Sequence, residues 1–339
     1  MMAKCPSCVT LRSSLLPAPS AMSQQDASSL PAPPPPPPPP RPNLIESIIE
    51  AIVSLFRKNP PVNYPSGVVY QKLEMPHLSI NKYLMAGVVL AFVGFLFVWV
   101  VAAGLIVEGS GILGVLGVTL AGSFAPSVYV FWMYFNDRFE REPIALIAYT
   151  FGWGAFSTVI AFFVNTGLFA VIPASFIVAP LVEEPLKIIG VYWLAAKSNL
   201  GKEFNNHLDG LLYGAAAGSG FASAENFLYI ARSAPQGAVL DMVLIRSFTP
   251  IMHAFCTGFV GRWLGLSKVR QGRIIWLDLI PGLVVAMLIH GLWNGLPNII
   301  GLFVLLMFFP IAFWMYKFAK EGSRDEALWG YATGLAPKE

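Results

Sequence analysis

Charge is scarce in this chain of 339 residues: Lys, Arg, Asp and Glu make up 12%, against 55% hydrophobic residues. An ordinary soluble domain carries about a quarter charged residues, so that class is excluded. The mean hydropathy of +0.62 points instead to a multi-span membrane protein. A formal net charge of +3 gives no strongly basic surface, and no nucleic-acid partner is expected. Cysteine is scarce too. With three in all, a disulfide scaffold is excluded, and Cys5-Pro-Ser-Cys8 lacks the second pair that a zinc ribbon needs. The first thirty residues lack the apolar run of a secretory signal peptide, so the tail is expected to stay attached and cytoplasmic.

What is present falls into four stretches. Residues 1–42 form a Ser/Ala/Pro-rich disordered tail ending in the eight prolines Pro33 to Pro40, which can form neither helix nor sheet ladder and favour polyproline II. Residues 43–83 carry Ile45, Ile48, Ile49, Ile52 and Phe56 at helical spacing, with Glu46, Glu50, Ser54 and Arg57 opposite. That pattern predicts an amphipathic helix, too short to span, lying in the membrane interface. Residues 84–320 read as eight apolar segments, 84–107, 110–135, 144–166, 169–196, 207–231, 237–265, 274–296 and 298–319, each long enough for a core of about 30 Å. The fold class is therefore all-α, polytopic, with about eight transmembrane helices. Residues 321–339 are a cytoplasmic tail.

Lys and Arg gather in alternate connections: Lys72 and Lys82, Arg138 and Arg141, Lys197 and Lys202, Arg262 to Arg273, and Lys317 to Arg324. The positive-inside rule then places both termini in the cytoplasm of a multi-pass cell-membrane protein. The outer connections are very short, so its work is done within the bilayer.

Against this background, polar groups inside the spans stand out: Glu183, Glu184 and Lys187 in the fourth, Glu225 and Asn226 in the fifth, His253 in the sixth, His290 and Asn294 in the seventh. Each charge at a helix centre costs about 2.5–3.5 kcal/mol on insertion scales, which makes a functional site the default reading. Lys187 is one turn from both glutamates, so one ammonium partners either and leaves the other for chemistry. Pro180 and Pro185 predict a helix bent or opened at the acids, admitting water. Gly210, Gly214 and Gly218 form a small-residue ridge that brings neighbouring helices close to Glu225. Arg246 reads as an outer-interface anchor in preference to a counter-ion for Glu225, and His207 and Asp209 as solvated. The pocket so assembled offers a general base, metal ligands and an oxyanion donor.

Other hydrolytic signatures are missing. There is no His-Glu-x-x-His, no Gly-x-Gly-Asp, and Ala217-Gly218-Ser219-Gly220 lacks the first glycine of the rhomboid pattern. The ordered motifs Glu183-Glu184-x-x-Lys187, Phe221-x-x-x-Glu225, a lone His253 and His290-x-x-x-Asn294 resemble those of the PrsW family of intramembrane proteases, within the wider group of CAAX prenyl and bacteriocin-processing proteases. The loop Asp137-Arg138-Phe139-Glu140-Arg141-Glu142-Pro143 is similar to one those proteins carry. The resemblance spans about residues 110–300 and implies a membrane-embedded endopeptidase acting on a membrane-anchored protein, an anti-sigma factor in the case of the family's namesake. The CAAX enzymes end the second motif in His; Glu225 here argues against a prenylated substrate.

By this resemblance Glu183 is the general base, Glu184 polarises the water or pairs with Lys187, and the two glutamates are interchangeable. Glu225, His253 and His290 hold Zn2+ or the attacking water, Asn294 stabilises the oxyanion, and Lys187, Phe221 and Asn226 give support. Water activated by glutamate without a metal is equally open. The competing reading is a non-catalytic transporter or sequestering protein that uses the same groups for proton or ion coupling. All the polar motifs fall after residue 180, without a matching earlier set, which favours the enzyme.

Overall fold

The computed structural model describes residues 40–62, 80–102, 111–137, 141–172, 174–196, 200–233, 237–296 and 303–333. The cysteine pair, Pro33 to Pro39, Glu108, Arg138 to Glu140 and residues 334–339 lie outside these. The described residues are helical and contain no strand. In chain order the helices are α1 (Leu44–Phe56), α2 (Ile80–Ala102), α3 (Gly111–Asn136), α4 (Ile144–Phe169), α5 (Ser175–Ala196), α6 (His207–Ser233), α7 (Val239–Arg246), α8 (Thr249–Gln271), α9 (Ile280–Gly295, preceded by the 3-10 turn Trp276–Leu279) and α10 (Phe303–Thr333).

Among the described residues, four helical stretches are long and apolar enough to cross a membrane: Leu116–Phe135, Ile144–Phe169, Val239–Gln271 and Trp276–Gly295. The helices left out of that set include the two that carry the acids, and the reason is physical. α5 carries Glu183, Glu184 and Lys187, whereas α6 is built largely from Gly, Ala and Ser and is buried along almost its whole length by other helices. A helix surrounded by protein has no need of an oily surface.

The packing around α6 follows from its glycines. A Cβ on Gly210 would stand 2.1 Å from Gly261 O, on Gly214 2.4 Å from Thr257 O, and on Gly218 2.2 Å from His253 O. These are closer than any real Cβ contact, so the backbones of α6 and α8 meet only because the ridge has no side chains. On the opposite flank, Gly220 touches Phe151 O and Gly154 touches Ala217 O, which seats α4 against α6 equally closely.

Several expectations are corrected. The sixth apolar segment is two helices, interrupted at Ser247 and Phe248, with Pro250 in the first turn of α8, where its missing N–H costs nothing. The fourth segment begins as a helix only at Ser175, after a turn at Ala170 and Val171. α5 is not opened by its prolines, since it runs unbroken through Pro180 and Pro185. There the next helix closes in, with Gly291 of α9 packed against Phe176 O and the Pro180 ring. His207 and Asp209 are buried, not solvated. His207 Nε2 lies 3.0 Å from Asp325 Oδ2. Asp209 reaches back from the first turn of α6 to accept from the backbone N–H groups of Asn205 and Asn206, while Asn206 Oδ1 caps the helix by accepting from the Leu208 and Asp209 N–H groups.

α1 starts at Asn43, whose side chain accepts from the Glu46 N–H at 2.8 Å. It buries Ala51, Ser54 and Leu55 against the protein and leaves Ile45, Ile49 and Phe56 exposed. In the acidic and basic loop, Tyr213 donates to Glu142 and the Glu142 N–H donates to Asp137 Oδ2 at 3.1 Å, tying the start of α4 to α6.

Candidate active site

The two adjacent glutamates of α5 have different surroundings. Glu184 is fully buried and both its oxygens are engaged. Oε1 accepts from Lys187 Nζ at 2.6 Å and lies 2.8 Å from His290 Nδ1, while Oε2 accepts from the Thr257 hydroxyl at 3.1 Å. Glu183 accepts from Asn165 Nδ2 at 3.1 Å through Oε1. Its Oε2 is buried without a hydrogen bond, 3.7 Å from Lys187 Nζ and 3.8 Å from His290 Nε2. One turn of helix thus supplies one saturated carboxylate and one with an oxygen to spare.

The imidazoles come from α8 and α9, and their rings meet edge to face with centroids 5.0 Å apart. A carboxylate can only accept, so His290 Nδ1 carries the proton toward Glu184, and Nε2 faces Glu183. His253 sits between Lys187 Nζ, 2.8 Å from Nδ1, and Glu225 Oε2, 3.0 Å from Nε2. An ammonium carries donors only, so Nδ1 accepts and Nε2 holds the proton shared with Glu225. Nε2 therefore becomes a metal donor only when that proton leaves. Phe221 supports the group from α6, with Lys187 Nζ 4.3 Å above its ring centre.

Glu225 is anchored from α7. Arg246 Nη2 donates to Glu225 Oε2 at 2.5 Å and Arg246 Nε to Asn226 Oδ1 at 2.7 Å, while Asn226 Nδ2 reaches Gly122 O and Arg246 O. Arg246 is thus the counter-ion of Glu225 and not a free interface anchor. The break between α7 and α8, invisible as a hydropathy change, turns this side chain inward. Asn165 and Thr257 are the neighbours of the site that motif spacing misses. Asn165 had one signal, an amide within the apolar run of α4.

The groups converge on a cavity of about 490 Å3 lined by Asn165, Glu183, Glu225, Arg246, His253 and Asn294 among others. The structure therefore brings together the residues expected from four separate spans, with Glu184, Lys187 and His290 packed directly behind Glu183. Donor atoms of Glu183, His253 and His290 all lie within 4.8 Å of one another. Two imidazoles and a carboxylate suit zinc by ligand type, and Glu184 behind His290 is the second carboxylate that such ligands use to fix their orientation. Glu183 and Glu184 face Lys187, and Glu225 faces Arg246.

A family model described as PrsW family intramembrane metalloprotease matches residues 142–316, half of the chain and all of this cavity's lining. The chain belongs to the PrsW family. It is a membrane protease, and its substrate class is protein within the membrane. Among relatives, protease PrsW of Bacillus subtilis (strain 168) is 27% identical over 219 residues, covering 59% of this chain and 93% of that protein. Protease PrsW of Clostridioides difficile (strain 630) is 29% identical over 180 residues, 49% of this chain and 72% of that protein. Protease PrsW of Halalkalibacterium halodurans is 28% identical over 208 residues, 58% and 92%. No solved structure matches the chain. The PrsW region begins at Glu142, so α1, α2 and α3 precede the matched part.

Proposed function

We propose that this PrsW protease hydrolyses a peptide bond of a membrane-anchored protein in the cavity beneath α4, α5 and α6, with Glu183, His253 and His290 as the donors for a zinc-class cation. The observation that carries this reading is Glu183 Oε2, a buried carboxylate oxygen with no hydrogen bond, within reach of both imidazoles. A cation held there would supply Lewis-acid polarisation of the scissile carbonyl and make adjacent water more acidic.

The protein's own groups do the rest. Glu184 orients His290 and is neutralised by Lys187, so both are positioning residues. Glu225, oriented by Arg246, accepts the proton of the attacking water as its oxygen adds to the carbonyl carbon, and returns that proton to the amine nitrogen when the C–N bond breaks. Asn294, one turn after His290 on the cavity wall, donates its amide to the developing oxyanion. Relative to the reading from sequence, this proposal exchanges the roles of Glu183 and Glu225 and does not use Glu184 as the base, since both its oxygens are hydrogen-bonded.

This proposal also takes the chain as eight-spanning. α2 to α6, the α7–α8 pair, α9 and α10 each make one crossing, α1 lies in the cytoplasmic interface on Ile45, Ile49 and Phe56, and both termini are cytoplasmic. The same domain limits apply as above: tail 1–42, interfacial helix and linker 43–83, protease 84–320 and tail 321–339. An anti-sigma factor is the substrate we would test first.

The deciding experiment pairs cleavage of a membrane-anchored reporter with zinc content of the purified enzyme. Glu183→Gln should lose zinc and cleavage together. Glu225→Gln should retain zinc and lose cleavage by about 10²–10⁴-fold. The reverse pattern of zinc loss would restore the assignment read from sequence, and full cleavage by either variant would sink the catalytic proposal.

A further inference from the structure

At the opposite end of α8 from His253, a second cavity of about 240 Å3 lies between α1, the extended residues 59–62, α8 and α10. Four arginines line it, Arg57, Arg262, Arg270 and Arg324, with three carboxylates, Glu50, Glu321 and Asp325. The carboxylates are fully engaged. Arg270 grips Glu50 at 3.2 and 2.8 Å. Glu321 takes the Asn59 backbone N–H at 3.3 Å, the Asn59 amide at 2.9 Å and Arg262 Nη2 at 3.2 Å. Asp325 is bonded by Arg324 Nε at 2.7 Å, the Val62 N–H at 3.2 Å and His207. Burial alone would raise the Asp325 carboxyl, but the hydrogen bonds from His207 and Arg324 hold it below its ordinary value.

What remains unmatched is positive. Arg262 is 2% exposed and stacked 4.2 Å from the centre of the Phe318 ring, yet its Nε and Nη1 have no acceptor. Arg324 Nη2 is likewise buried without one. Donors of a buried cation left unanswered are destabilising, and four guanidinium groups against three carboxylates leave one charge uncompensated. The planar fork of Arg matches tetrahedral oxyanions. The volume is below that of drug-sized sites, roughly 300–1,000 Å3, and suits a phosphate with a small substituent.

We propose that this cavity binds a phosphate group, with Arg262 and Arg324 as inner donors and Arg57 and Arg270 at its mouth. The exposed Ile45, Ile49 and Phe56 of α1 stand on the same helix as Glu50, with Arg57 at its C-terminal cap. Seated in the interface, that helix brings the mouth to headgroup level, so the phosphate comes from an anionic phospholipid or from a free phosphate anion. The site is independent of the catalytic assignment, and neither arginine belongs to that machinery.

The test uses the full-length protein and its thermal unfolding midpoint. Inorganic phosphate in detergent should raise the midpoint more than chloride at equal ionic strength. Arg262→Gln strips a buried partner from Glu321 and Arg324→Gln one from Asp325, so the readout is each variant's phosphate affinity against its own chloride baseline. Arg324→Gln is expected to weaken phosphate binding about tenfold, the loss of one charge-assisted bond. In nanodiscs, stabilisation by phosphatidylglycerol over phosphatidylcholine that inorganic phosphate competes away assigns a lipid headgroup. A phosphate effect in detergent with no lipid preference assigns the free anion. No phosphate-specific stabilisation, an unchanged affinity in Arg324→Gln, or a lipid preference that phosphate does not compete overturns the proposal.

Discussion

Glu184 shows how a charged residue can be tolerated at membrane depth. Its three partners, Lys187, Thr257 and His290, come from its own helix and two others, so the carboxylate is neutralised and solvated by protein. Removing one member of such a pair leaves an uncompensated buried charge, at a cost of about 3–5 kcal/mol. Glu184→Gln is therefore expected to lower the unfolding midpoint sharply and weaken zinc binding through His290. Adding Lys187→Met should recover only part of that stability, because Glu183 Oε2, 3.7 Å from Nζ, then loses its ammonium, and should not restore cleavage. Double-mutant unfolding curves check this, and purely additive losses would refute the coupling. The identity of these residues was legible from sequence, because each is costly in lipid. Which glutamate is saturated was not, since that depends on Thr257 and Asn165, residues whose polarity is unremarkable along the chain.

At the scale of elements, the helices α6 and α8 hold the site together by touching backbone to backbone. The ridge of three glycines announced that contact in sequence, as a spacing of four places on one helix face. The break between α7 and α8 had no such announcement, because Ser247 and Phe248 interrupt the helix without lowering hydropathy, and with it went the inward turn of Arg246. The intact passage of α5 through two prolines shows the converse. Local rules predicted an opening, whereas packing against α9 preserves the helix. The ridge yields a matched prediction. A methyl at Gly218 meets the carbonyl of His253 itself, so Gly218→Ala should displace α8 and reduce cleavage by at least tenfold. Gly117 of α3 has nothing within 4 Å of the same methyl, and Gly117→Ala should be as active as wild type and slightly more stable. Equal activity in the two variants would show that close approach at Gly218 does not set the site.

For the whole molecule, the decisive asymmetry is between the two ends of the bundle. One end gathers Arg57, Arg262, Arg270, Lys317 and Arg324, cross-linked to Glu50, Glu321 and Asp325 of α1 and α10. Lys268 of the same end bonds the Gly201 carbonyl just before α6. Toward the other end lie the active-site cavity and Arg246, already paired with Glu225. Basic residues near span ends are retained on the cytoplasmic side, which supports the proposed orientation, with the first end toward the cytoplasm and the cavity toward the outer side. The number of crossings between these ends must be even if both termini share the basic side. A reporter fused after residue 339 should therefore be cytoplasmic, and one inserted after Glu108, between α2 and α3, should be exposed on the outside. A cytoplasmic reporter after Glu108 would invert or shorten the first hairpin and leave α2 outside the eight-span count. It would also separate the basic end from the membrane face that the interfacial helix α1 requires.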